Sequence, residues 1–274
     1  MKKKKKNKII TYLTILICIS LFITFLYLIL FINKDGEVNE DTVLVPYCDY
    51  DFSKLSNHPY LTYEDDRYTS MFGIDVAAHQ ETIDWKKVKE SGVEFAYIRL
   101  GYRGASEGKL NVDLEFERNY SEAIKNDIKV GVYWYSQPIN VEEAIEEAKF
   151  VLDVLDGRHL DLPIVYDFEE TILPNDKISR IHDMNKQERT EVAEAFCEYM
   201  ISAKQDVVLY TYLDWSENYY EEYLLEKYPI WFAQYEEYPQ FEKPFVIWQY
   251  SDEGQIDGIE HKCDLDIMFI LKEQ

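Results

Sequence analysis

Basic side chains are scarce in this sequence. Its 274 residues include 29 Lys and Arg against 52 Asp and Glu, a formal net charge of -23. Seven of the lysines (Lys2 to Lys6, Lys8 and Lys34) fall within residues 1–34, which hold no acid, so the remainder carries a net charge of -30 from 22 basic and 52 acidic residues. Binding phosphates needs clustered Lys and Arg, so nucleic acid is argued against as a partner. Nor would bulk charge hold such a domain on an anionic surface. Cysteines are few as well: Cys18, Cys48, Cys197 and Cys263, with no C-x-x-C pair, so zinc-ribbon and thioredoxin-like readings fall away. Cys18 lies in an apolar run and three others remain, an odd number that implies no complete disulfide framework. No His, Cys or carboxylate cluster shows ligand spacing, so no metal or cofactor is expected. Internal repeats and low-complexity tracts are lacking. What the chain does have is a hydrophobic content of 47%, enough for a sizeable core in one or two domains.

One long apolar run stands at the N-terminus. Ile9 to Ile32 is 24 residues without a charge. At about 1.5 Å per residue it can cross a hydrocarbon core of about 30 Å. The lysines of residues 1–8 place that end in the cytoplasm and the rest of the chain outside. A cleaved signal peptide has an apolar region of about 7–15 residues followed by a small-residue site. Leu30-Phe31-Ile32-Asn33 offers no such site, so residues 9–32 are expected to be a single-pass transmembrane anchor. Residues 33–70, acidic and Tyr-rich with no sustained period, are expected to be an extracytoplasmic spacer.

From Met71 to the end, 71–274, the pattern is that of a catalytic domain. Eight runs rich in Val, Ile, Tyr, Phe and Trp predict strands: Phe72–Val76, Phe95–Leu100, Lys129–Tyr135, Pro163–Phe168, Val207–Tyr212, Ile230–Gln234, Phe245–Tyr250 and Leu265–Ile270. Amphipathic stretches over Asp84–Ser91, Leu114–Asn126, Asn140–Leu155 and Lys186–Lys204 predict helices between them, Asn140 serving as an N-cap with Glu143 three residues on. Alternating strands and helices imply an α/β fold, a parallel (β/α) TIM-like barrel, irregular where helices thin out near the end.

In such a barrel the active site gathers at the C-terminal ends of strands. Polar residues there include Asp75, Arg99, Tyr133, Tyr135, Asp167, Glu169, Tyr210, Gln234, Trp248 and Gln249, with Asp264 at the start of the eighth run. Asp167 and Glu169 are two apart, so on a strand they share a face with Cα atoms about 6.6–6.8 Å apart. Two carboxylates that close do not ionise independently, and one becomes a proton donor beside a carboxylate, the pair that glycoside cleavage uses. D-x-E is a common spacing and weak alone. Aromatic residues beside it strengthen the reading, because sugar rings stack their apolar faces on aromatic rings. Trp134 and Phe168 alternate with the polar set and read as core.

Several segments together resemble a known family. Gly73-Ile-Asp-Val-Ala-Ala-His-Gln80 with Ile83-Asp-Trp85, then Phe95-Ala-Tyr-Ile-Arg-Leu-Gly-Tyr102, Val130-Gly-Val-Tyr-Trp-Tyr-Ser136 and Leu162-Pro-Ile-Val-Tyr-Asp-Phe-Glu169, occur in the order found in family 25 glycoside hydrolases, the Chalaropsis-type lysozymes. Ile230-Trp-Phe-Ala-Gln-Tyr235, Ile247-Trp-Gln-Tyr250 and Cys263-Asp-Leu-Asp266 are similar to their later strands. The resemblance implies an N-acetylmuramidase that cuts the β-1,4 bond between N-acetylmuramic acid and N-acetylglucosamine in peptidoglycan, so glycan strands of the wall would be its partner and the bacterial cell membrane its location. By motif position Glu169 would be the general acid, with Asp75, Asp167 and Asp264 the other catalytic carboxyls. Tyr133, Tyr135, Arg99, Tyr210, Gln234, Trp248 and Gln249 would line the substrate. The family often has Ser where Ala77 and Ala78 stand, and Gly where Glu81 stands. The rival expectations are a non-catalytic glycan-binding barrel and a part of a membrane-spanning assembly. Intact Asp167 and Glu169 disfavour the first, and the sequence names no protein partner for the second.

Overall fold

The computed structural model describes residues 49–174 and 177–272. The basic tail 1–8, the apolar run 9–32 and residues 33–48 of the expected spacer lie outside the described residues. Among the described residues no helix is long and apolar enough to cross a membrane.

Eleven strands and six α-helices are described. The strands are β1 (Leu55–Asn57), β2 (Leu61–Tyr63), β3 (Tyr68–Val76), β4 (Phe95–Arg103), β5 (Leu110–Val112), β6 (Lys129–Ser136), β7 (Ile164–Phe168), β8 (Val207–Tyr212), β9 (Ile230–Ala233), β10 (Ile247–Gly254) and β11 (Cys263–Leu271). The helices are α1 (Trp85–Glu90), α2 (Phe116–Lys125), α3 (Val141–Leu155), α4 (Lys186–Ser202), α5 (Leu213–Asn218) and α6 (Glu222–Lys227). Each helix predicted from periodicity is present. Asn140 caps α3, its side chain accepting from Glu143 N at 2.9 Å, and Asn185 with Glu188 forms a reciprocal capping box on α4.

Strands β3, β4, β6, β7, β8, β9, β10 and β11 close into an eight-stranded barrel, because β3 pairs with both β11 and β4; β5 is appended to the edge of β4. The fold is mixed α/β. The expectation of a parallel barrel holds from β3 through β10 and fails at the end. Strand β11 runs antiparallel to both neighbours, β10 and β3. A parallel return needs a long crossover. The segment between Gly254 and Cys263 is too short to carry one, so the chain reverses instead.

The barrel's side chains alternate between two cores. Ala96, Ile98, Tyr166, Phe168, Leu209 and Ile267 face outward into the larger core with the helices. Met71, Phe95, Tyr97, Val165, Val208, Trp231 and Ile247 form a second core that fills the floor of the barrel. This is why the strands read as nearly continuous apolar runs. Gly73 is part of the same packing: a Cβ there would lie 2.2 Å from the Phe95 ring.

The folded body starts earlier than the sequence pattern indicates. Met71 is the expected start of the domain, yet Tyr50, Tyr63 and Tyr68 are buried in the larger core, and the β1–β2 hairpin packs beside β3. Tyr50 stacks on Phe269 with ring centroids 4.0 Å apart. These rings contribute to packing as isolated aromatics in short segments, a pattern with no period to detect.

Candidate active site

The upper end of the barrel is a cleft of about 280 Å³ lined by Asp75, Arg99, Tyr133, Tyr135, Asp167, Glu169, Tyr210, Trp231, Tyr235, Gln249 and Asp264. Seven parallel strands supply ten of these residues, most of them in the C-terminal half of the strand or just past it. Asp264 comes from the start of β11, and only the reversed direction of that strand brings it to the same rim. It pairs in register with Asp75 on β3.

Two hydrogen-bonded groups frame the carboxylates. On one side Gln249 Nε2 donates to Asp75 Oδ2 at 2.7 Å, while the hydroxyls of Tyr235 and Tyr210 donate to Gln249 Oε1 at 2.9 and 3.3 Å. On the other, Arg99 is held by Asp113, with Nε at 2.8 Å and NH2 at 2.7 Å from Oδ2. Asp113 in turn accepts from Glu115 N at 2.9 Å. Glu169 is fixed through its backbone, since Gln137 Nε2 donates to its carbonyl at 2.7 Å. Tyr135 shares a 2.6 Å hydrogen bond with Thr171 just beyond.

Burial sets the proton affinities. It pushes Glu169 up to about 7, reinforced by the negative charge of Asp264. Asp264 itself rises to about 6, through burial and Asp252, against a hydrogen bond with Asp75. Asp167 is raised by burial and by Glu169, while the Arg99 guanidinium pulls it back. Asp75 is raised by burial and then by Asp264 and Asp266, with Gln249 opposing. Burial also holds the phenols of Tyr133, Tyr135 and Tyr210 fully protonated; Tyr210 spends its proton on Gln249, while Tyr133 and Tyr135 can donate to sugar oxygens. This cleft therefore holds at least one carboxylic acid at neutral pH among carboxyls that outnumber the cations beside them, the condition for general acid chemistry. Among the described residues no group of His, Cys, Asp or Glu is arranged to hold a metal ion.

The sequence profile of the glycosyl hydrolases family 25 matches residues 74–259. The chain belongs to this family. It is 31% identical over 200 residues to the autolytic lysozyme of Clostridium acetobutylicum, an alignment covering 72% of this chain and 55% of that protein. The Clostridium perfringens spore cortex lytic enzyme SleM is similar in structure, with a TM-score of 0.61 at 26% identity over 73% of this chain and 67% of that one. The modular autolysin LytC of Streptococcus pneumoniae, solved with a synthetic peptidoglycan ligand, shares the fold with a TM-score of 0.66 at 24% identity, over 77% of this chain and 48% of that one. The chain spans about half the length of the clostridial lysozyme and of LytC.

Within this family 25 domain, nine of the eleven site residues expected from sequence meet in the cleft: Asp75, Arg99, Tyr133, Tyr135, Asp167, Glu169, Tyr210, Gln249 and Asp264. Trp248 does not. It points to the outer face of β10, fully buried, and its Nε1 donates to Gln234 O at 2.8 Å. Gln234 is the second departure: its side chain accepts from Gln240 N at 2.6 Å and holds the following loop. Both lie one residue from a lining residue, Gln249 and Tyr235, and alternation along an extended chain turns neighbours to opposite sides. Trp134 and Phe168 are core, as alternation predicts, packed on Phe150 and Trp215. Asp113, Trp231 and Tyr235 stand outside the eleven expected site residues. Tyr235 follows the end of β9, the position that marks the others, whereas Trp231 is the second residue of that strand and reaches the cleft from the barrel floor. Asp113 precedes a helix and reads as a cap, and only the fold brings it to Arg99. Glu81, where the family often has Gly, follows a 3₁₀ turn with φ 53°, in the region that favours glycine.

Proposed function

We propose that this chain is a peptidoglycan hydrolase that cuts the β-1,4 bond between N-acetylmuramic acid and N-acetylglucosamine, with Glu169 as the general acid. The observation that carries this reading is the Glu169 carboxyl itself: enclosed in the cleft, raised to about 7, and therefore protonated over much of the range in which a wall enzyme works. Its proton would pass to the glycosidic oxygen as that bond breaks. Asp167 stands two residues before it on the same side of the strand, and its Oδ1 has no hydrogen-bond donor among the described residues. An acetamido N–H on the substrate would fill that vacancy in the hydrogen bonding, and a carboxylate there also steadies positive charge at the reacting carbon. Asp75 and Asp264, opposite them, would tune the proton affinity of Glu169. Tyr133 and Tyr135 supply hydroxyl donors and Tyr210 an acceptor oxygen, and the relatives named as lysozyme, autolysin and spore cortex lytic enzyme support a wall substrate.

The proposal includes an anchor. Residues 9–32 would hold the protein in the membrane, residues 1–8 in the cytoplasm and the barrel outside, supported by the length of the uncharged run and the lysines before it. The test of the chemistry is digestion of purified cell wall, with products identified by mass spectrometry. New reducing ends at N-acetylmuramic acid are expected, and Glu169→Gln should lower the rate about 10²–10⁴-fold. Equal rates for wild type and variant would remove Glu169 from the role, and binding without cleavage would favour a glycan-binding barrel. Proteolysis of intact spheroplasts tests the topology, since an external barrel is degraded while the membrane is sealed.

A further inference from the structure

A fully buried carboxyl outside the cleft has no part in the proposed chemistry. Glu147 lies on the inner face of α3, with both carboxylate oxygens engaged. Its Oε1 accepts from Arg103 Nε of β4 at 2.7 Å and from the backbone N–H of Gln137 at 3.3 Å. Its Oε2 accepts from the Ser136 hydroxyl at the end of β6. Arg103 is itself buried. It also donates to the carbonyls of Gly108 and Glu143 at 2.8 and 3.1 Å and pairs with Glu146 at 2.7 Å. One turn earlier on the same side of α3, Glu143 accepts from Ile139 N at 3.1 Å and from Arg180 at 2.9 Å. Pro138 has no N–H to offer. Both amide donors of the turn from Gln137 to Ile139 are therefore received by glutamates of α3.

A buried Arg–Glu pair between a helix and a strand often does no more than join them. What sets this pair apart is where the other bonds of Glu147 land. Ser136 pairs in register with Phe168 on β7, which brings Gln137 level with Glu169. Gln137 is fully buried, and its Nε2 donates to the Glu169 carbonyl at 2.7 Å. Alternation turns Ser136 outward to α3 and its two neighbours the other way, so that Tyr135 meets Thr171 just past Glu169. We propose that Glu147 is a positioning residue for the general acid: it fixes the end of β6 and, through Gln137, the backbone that carries the Glu169 carboxyl. Burial raises the proton affinity of Glu147 to about 7, against the hydrogen bond from Ser136 and the charge of Arg103. The tether survives that change of state. With a proton on Oε2 the O–H donates to Ser136 Oγ, and Oε1 still accepts from Arg103 and Gln137.

The kinetic part of the test rests on the muramidase reading above; the exchange part does not. Glu147→Gln keeps an acceptor for Arg103 and Gln137 and a donor for Ser136, so kcat on purified wall should stay within about threefold of wild type with an unchanged pH profile. Glu147→Ala should lower kcat about tenfold with KM little changed, because neither Glu147 nor Gln137 lines the cleft. Gln137→Leu should cost as much, and the double variant no more than Gln137→Leu alone. In hydrogen-exchange NMR the Gln137 side-chain amide, identified by its loss in Gln137→Leu, should exchange slowly in wild type and Glu147→Gln and rapidly in Glu147→Ala. Losses that multiply in the double variant, a Glu147→Gln rate as low as that of Glu147→Ala, or a Gln137 amide that stays protected in Glu147→Ala overturn the proposal. If Glu147→Ala fails to fold, Ser136→Ala removes one tie and leaves Arg103 paired. It should cost about threefold in kcat, and nothing further in the Gln137→Leu background. If no form of the protein cleaves wall, amide exchange still decides whether Glu147 holds Gln137.

Discussion

At the scale of single residues, the cleft works by withholding compensation from its carboxyls. Arg99 is its one cation among the described residues; it is paired with Asp113 and also near enough to Asp167 to oppose the rise in that carboxyl's proton affinity. A positive charge at this range lowers a carboxyl pKa by about 1–3 units. Arg99→Met should therefore let Asp167 keep its proton to higher pH, moving the acid-side limb of the wall-digestion profile upward by about one unit or more. A profile that keeps its limb in this variant would show that Asp167 does not titrate in it. Glu81 is a second residue whose surroundings make a direct prediction. Its φ of 53° is strained for a side chain that makes only a 3.7 Å contact with His261. Glu81→Gly should raise stability by about 1 kcal/mol, read as an increase in Tm without a change in wall digestion.

At the scale of elements, two departures from a repeating barrel have consequences. The first is β11, whose reversal places Asp264 opposite Asp75 and puts Asp266 beneath them. The second is the segment 49–67, which covers outer rings of the barrel with Tyr50, Phe52 and Tyr63. Tyr50 OH donates to Phe245 O at 3.0 Å, and Tyr50 lies against both Phe245 and Phe269. Burying one such aromatic ring stabilises a core by about 3–5 kcal/mol relative to Ala. A form of the protein starting at Met71 should accordingly lose most of its stability, whereas one starting at Val45 should unfold cooperatively. Equal urea midpoints for the two would show that the segment adds nothing. The family profile itself begins at residue 74, so this covering segment lies outside the matched region.

At the scale of the whole molecule, the clustered acids couple folding to pH. Glu169 rises from 4.5 to about 7, and Asp264 from 3.8 to about 6. Folded protein thus binds more protons than the unfolded chain between pH about 4 and 7, and its stability must fall as pH rises through that window. Below it both states are protonated, and above it the loss is complete. One carboxyl raised this far accounts for up to about 3 kcal/mol, and the members titrate together rather than singly. Urea unfolding at pH 5 and pH 7.5 should give the higher midpoint at the lower pH. Glu169→Gln should recover most of the difference, since an amide does not ionise. A midpoint that rises with pH would contradict the burial argument. Activity has the same sign, because a general acid with a pKa of about 7 is lost above that value.

Sequence alone determined a good deal of this. Period and composition located all eight barrel strands and four of the helices, because a strand buried on both faces must be apolar nearly throughout and an exposed helix must alternate at its own period. Strand ends then marked nine residues of the cleft, and ordered motifs marked the family. Trp248 and Gln234 miss the cleft because a strand end does not announce which of two neighbouring residues points inward. The packing of Tyr50 is not legible in the sequence because a lone aromatic in an aperiodic segment carries no sign of its partner. The direction of β11, the pairing of Asp113 with Arg99 and the burial of Asp266 under Asp75 belong to the tertiary structure. Each depends on which distant strands become neighbours, and the proton affinity of Glu169 depends on how completely those neighbours exclude water.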